Sequence, residues 1–143
     1  MGVRNFALFS GIFFMIIGIA GFIPQLVSPP PTELDSPLWI DIGYGYLFGL
    51  LPTNLLHNLV HIAVGAWGFN ASRQLKSALF YCQGFAILYS LITVMGIIPG
   101  LGTTLGLMPI FGGNVPLNLL TAAIAGYYGF ITAPNPDLVS TSK

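Results

Sequence analysis

Four long apolar runs, Phe6 to Val27, Pro52 to Phe69, Leu75 to Ile98 and Val115 to Thr132, carry no charge except Lys76 at the edge of the third. A bilayer's hydrocarbon core, about 30 Å thick, is crossed by about 20 mainly apolar residues in helical conformation, so each run has the size of a transmembrane span. Only 6% of the 143 residues are charged and 55% are hydrophobic, against about 25% charged in an ordinary soluble domain. The expected fold is therefore all-α: one integral membrane four-helix bundle with spans 6–27, 52–69, 75–98 and 115–132, an outer loop 28–51 and a tail 133–143. The lipid bilayer is the first expected partner. Net charge is zero and no Lys/Arg cluster occurs, which argues against nucleic acid, whose binding depends on neutralising phosphates. The single cysteine, Cys82, leaves no partner for an internal disulfide.

Local signals set the expected ends. Pro52 and Pro116 stand where the second and fourth helices should begin, a position that needs no N–H and suits a fixed φ. Asn70 and Ser72 read as a turn, and Pro134 with Pro136 as a stop. The first run is too long for a signal-peptide core and no small-residue cleavage site follows it, so it reads as a retained anchor. Arg4, Arg73, Lys76 and Lys143 fall on one side of a four-span topology, whereas Glu33, Asp35 and Asp41 fall in the first loop on the other. Because cytoplasmic loops carry the excess of Lys and Arg, both termini are expected inside. Trp39, Tyr44 and Tyr46 then lie near the outer boundary, and Trp67, Tyr81, Tyr127 and Tyr128 near the inner one.

The chain also repeats itself. Gly21-Phe22-Ile23-Pro24 recurs as Gly96-Ile97-Ile98-Pro99, a shift of 75 positions, and Gly65-Ala66-Trp67-Gly68-Phe69 recurs as Gly126-Tyr127-Tyr128-Gly129-Phe130, a shift of 61. Two parallel helical hairpins from an internal duplication are expected, the first with a longer outer loop. Gly65, Gly68, Gly126 and Gly129 are candidate packing positions, since small residues let helix backbones approach where no hydrophobic effect drives association.

One polar constellation interrupts the apolar runs. In Pro52-Thr53-Asn54-Leu55-Leu56-His57-Asn58-Leu59-Val60-His61, helical spacing puts Asn54, His57, Asn58 and His61 on one face. Ionisable groups at such depth are functional candidates by default. Two histidines one turn apart cannot ligate opposite faces of one haem, and catalytic zinc lacks a third ligand. A magnesium tetrapyrrole such as a chlorophyll needs one neutral imidazole, for which His57 and His61 remain candidates. The plainer expectation is a polar network in which these groups, with Asn118, Thr121, Gln83 and Thr93, satisfy one another across the bundle. Under the shift of 61, His57 corresponds to Asn118.

The run Leu47-Phe48-Gly49-Leu50-Leu51-Pro52-Thr53-Asn54-Leu55-Leu56-His57-Asn58-Leu59-Val60-His61, continuing to Gly65, resembles an uncharacterised family of small four-helix bacterial membrane proteins, domain-of-unknown-function family 4383. The resemblance is nearest to cyanobacterial members and implies a thylakoid or plasma membrane; it brings no activity with it. Such proteins often carry a histidine at the start of the fourth helix, where this chain has Asn118. Acyl and phosphoryl transfer want nucleophiles, bases or metals, and the acids here are confined to one loop and the tail. The expectation is a non-catalytic accessory or assembly subunit of a larger, photosynthetic or other, membrane complex, docking through Glu33, Asp35, Trp39 and Asp41. Two alternatives stay open: pigment or other cofactor binding through His57 or His61, and a small transporter or channel.

Overall fold

A computed structural model describes residues 2–30 and 38–133, within which the expected four helices form. They are α1 (Val3–Ala20), α2 (Leu55–Ala71), α3 (Leu75–Ile97) and α4 (Asn114–Gly126), the last continued by a π-helical turn, Tyr127–Ile131. Of these, α1 and α3 are each long and apolar enough to cross a membrane. Glu33 and Asp35, and the tail beyond Ala133, lie outside the described residues.

The first loop departs from expectation. It contains a three-stranded antiparallel sheet in the order β1 (Val27–Ser28), β2 (Gly45–Leu47), β3 (Leu51–Thr53). Helix α1 accordingly stops at Ala20, not near Val27, and a 3₁₀ turn at Pro24–Leu26 leads into β1. A side chain on Gly21 would run into the Asn58 amide, which itself donates to the Gly21 carbonyl at 2.9 Å. Pro52 does not open α2. It sits in the middle of β3, paired with Tyr46, and β3 is an edge strand, where a residue without an N–H is tolerated. The true opening residue is Asn54, whose side-chain oxygen accepts the His57 backbone N–H at 2.8 Å, as an N-cap does. The β2–β3 turn places Phe48 at φ 54° and Gly49 at φ 71°, the two left-handed residues that a tight hairpin turn requires.

Packing is by pairs. Helix α1 lies mainly on α2, and α3 on α4, with α1 against α3 joining the two. The α1–α2 seam is backbone against backbone: a Cβ at Gly65 would lie 2.6 Å from Met15 N and 2.7 Å from the Gly11 carbonyl oxygen, and one at Gly68 2.9 Å from the Ala7 oxygen. In the α3–α4 seam, Gly129 packs on Cys82, but a Cβ at Gly126 would meet only Ala86 Cβ, at 3.8 Å. Gly126 is therefore no tight-packing position. Aromatic rings fill the centre. Phe14 meets Phe85 and Tyr89, both at 5.3 Å between centroids, Phe85 stacks on Tyr81 at 4.8 Å, and the Tyr81 hydroxyl is paired with Ser10.

The two ends of the bundle differ. At the cap end, the sheet and the loop 98–113 are tied together by the Trp39 N–H, which donates to the Gly106 oxygen at 2.8 Å. Asn54 donates its amide to the oxygens of Ile40 and Leu107, and Asn114 donates to those of Pro52 and Pro109. Each asparagine thus satisfies one carbonyl from each loop. At the opposite end, Arg4 Nε donates to the Ser72 carbonyl at 2.8 Å, tying the start of α1 to the end of α2.

Candidate functional site

Below the Asn54 cap, α2 turns His57, Asn58 and His61 into the bundle, all nearly inaccessible. The imidazoles of His57 and His61 lie 4.3 Å apart between centroids, and His61 lies 5.2 Å from Phe14. The expected face is real, except that Asn54 precedes the helix and serves its N-terminus. The rings are packed inward on one another and on Phe14, so axial ligation of a tetrapyrrole would require turning an imidazole out of the core.

The polar side chains do not satisfy one another as the sequence suggested. Asn58 pairs with the Thr53 hydroxyl and the Gly21 carbonyl. Gln83 donates to the Gly129 oxygen, Thr93 to Tyr89 and Thr121 to Leu117, all backbone carbonyls. The Gln83 bond falls within the π-helical turn of α4, whose wider winding leaves carbonyls available to side chains. Backbone capture won because an i−4 carbonyl is always within reach of a helical threonine.

Two buried groups beneath the cap are left over. His57 Nδ1 and Asn118 Nδ2 have no hydrogen-bond partner, although His57 is 5% and Asn118 3% exposed. A third unpartnered atom, the Tyr44 hydroxyl, belongs to the cap; burial, with Tyr46 beside it, holds its pKa above the ordinary tyrosine range. Among the described residues no cluster of three or more His, Cys, Asp or Glu could hold a metal ion. Of the other proposed docking residues, Trp39 and Asp41 are exposed at the cap.

The family model titled Domain of unknown function (DUF4383) matches residues 4–131, nearly the whole of the described chain. The chain belongs to the DUF4383 family. No curated protein and no solved structure matches it. The match takes in α1 to α4, the cap and the His57–His61 face, so the family's common part is the entire bundle rather than one hairpin.

Sequence reasoning missed the role of Asn114. Its first-turn position on α4, after Gly112-Gly113, is visible in the sequence, but which carbonyls it would reach is not.

Proposed function

We propose that this DUF4383 chain is an integral membrane protein of four spans, with both termini inside, acting as a non-catalytic accessory or assembly subunit that docks on a larger membrane complex through its outer cap. The membrane reading is supported by the outward faces of the helices, where Phe9, Phe13 and Ile16 on α1, Ile87 and Leu91 on α3, and Leu120 on α4 are exposed. In water such a continuous apolar surface would aggregate. The described bases, Arg4, Arg73 and Lys76, gather at the end opposite the cap, which supports that end as cytoplasmic.

Internal duplication is supported by matching contacts. Gly65 faces Gly11 where Gly126 faces Ala86, and Gly68 faces Ala7 where Gly129 faces Cys82. The α2 and α4 positions differ by 61, and the α1 and α3 positions by 75, the two shifts of the sequence repeat.

The docking reading rests on one observation. Phe48 and Leu105 hold left-handed backbone, at φ 54° and 58°, without being glycine, and both are more than half exposed. Each such residue costs about 1–2 kcal/mol, and strain of that kind persists where the surroundings over-determine it and is concentrated at functional segments. Here it holds apolar side chains outward on a hydrogen-bonded cap, with Trp39, 79% exposed, against Gly106 next to Leu105. Asp41, exposed in the same loop as Trp39, would supply part of the polar rim. Solubilisation of native membranes in mild detergent, followed by a native gel and identification of co-migrating proteins, tests this. Co-migration with a large complex, lost in Phe48→Ser with Leu105→Ser, is expected; a sharp band at the monomer mass from native membranes would refute it.

A further inference from the structure

We infer that His57 and Asn118 together form a buried site for one small neutral hydrogen-bonding ligand, a water molecule, held between the two helical hairpins. Two nearly inaccessible side chains each keep an unpartnered nitrogen, His57 Nδ1 and Asn118 Nδ2. A buried polar atom left unmatched is costly, and native structures resolve such cases with ordered water or a bound group. The two residues occupy corresponding positions, since 57 and 118 are separated by the shift of 61 that relates α2 to α4.

The geometry above them brings the helices together at that depth. The Pro52 carbonyl lies beside the His57 imidazole and also accepts the Asn114 amide at 2.7 Å. Asn118 follows Asn114 by one helical turn on the same buried face of α4, where side chains at i and i+4 are neighbours. The Pro52 carbonyl thus links the two sides, beside His57 directly and one helical turn from Asn118 through Asn114.

Charge selects the ligand class. Asp41, the one acid among the described residues, is exposed at the cap, and Arg4, Arg73 and Lys76 are exposed at the opposite end. His61 packs on the His57 ring at 4.3 Å between centroids, and Phe14 of α1 packs on His61 and on Phe85 and Tyr89 of α3, none of them an acid, a lysine or an arginine. A cation would meet no carboxylate and an anion no ammonium or guanidinium, whereas water can accept from the Asn118 amide and donate to His57 Nδ1. The imidazole then carries its proton on Nε2.

The test uses ¹⁵N-labelled full-length protein in phosphatidylcholine vesicles. Magnetisation transfer from water to the His57 imidazole is expected in the wild type and is lost in Asn118→Leu; its absence in the wild type, or its survival in Asn118→Leu, overturns the inference. Should that variant not fold, His57→Leu read at the Asn118 side-chain amide serves in the same way. Stability gives an independent sign. With a shared water, each single leucine variant strands the other partner and unfolds at lower denaturing-detergent concentration than wild type, while the double variant recovers. Two unrelated orphan groups would instead give single variants at least as stable as wild type, with additive effects, and that result also overturns the inference.

Discussion

The repeat offers a matched pair of substitutions, Gly65→Ala and Gly126→Ala, at corresponding positions in opposite seams. At Gly65 the new methyl would sit 2.6 Å from Met15 N and 2.7 Å from the Gly11 oxygen. Ordinary contact begins near 3.4 Å, so α1 and α2 must part by about 0.7–0.8 Å, and both obstructing atoms are backbone, which cannot swing aside as a side chain would. Overpacking of this sort costs about 1–3 kcal/mol. With both obstructing atoms fixed in backbone the upper part of that range, about 2–3 kcal/mol, applies, and the gain in helix propensity returns at most about 1 kcal/mol, leaving a net loss of about 1–2 kcal/mol. At Gly126 the nearest atom is Ala86 Cβ at 3.8 Å, so only the propensity gain remains and the change is neutral or stabilising by up to about 1 kcal/mol. Reversible unfolding in mixed micelles, followed by loss of helical circular dichroism against denaturing detergent, measures both. Equal losses at the two positions, or a Gly65→Ala protein as stable as wild type, would refute the seam geometry.

Asn54→Ala removes a cap and two donors to part-buried carbonyls, and should cost about 2 kcal/mol in the same titration; Asn54→Asp keeps the cap oxygen and should lose less. Cys82 is fully buried between α1 and α4, so a polar maleimide should label it only as the protein unfolds, and labelling of the folded protein would contradict the packing. In a Cys82→Ala background, Asn70→Cys should react from the cytoplasmic side and Leu107→Cys from the other; labelling of both from one side would refute the proposed topology.

Helix existence was plain in the sequence because long uncharged runs leave few other options. The third, expected at 75–98, forms as Leu75–Ile97. Ends were harder to read. Pro52 carries as good a helix-opening signal as Pro116, but Asn54 competes two residues later with a side chain able to cap, and cap geometry prevails when a strand can absorb the proline. Strands of two or three residues give no periodicity to detect, so the cap sheet was invisible. The histidine face was legible from spacing alone. That its neighbours would bond to backbone carbonyls, leaving His57 Nδ1 and Asn118 Nδ2 unmatched, depends on distances between helices that no local pattern encodes.

The amides of Asn54 and Asn114 bear on how the two hairpins are held together. Each reaches one carbonyl of its own hairpin and one of the other, Leu107 for Asn54 and Pro52 for Asn114. Either hairpin made alone would leave a side-chain donor and a carbonyl acceptor unmatched at the cap. The two asparagines, one on each hairpin, thereby hold the two halves of one polypeptide in register at the cap.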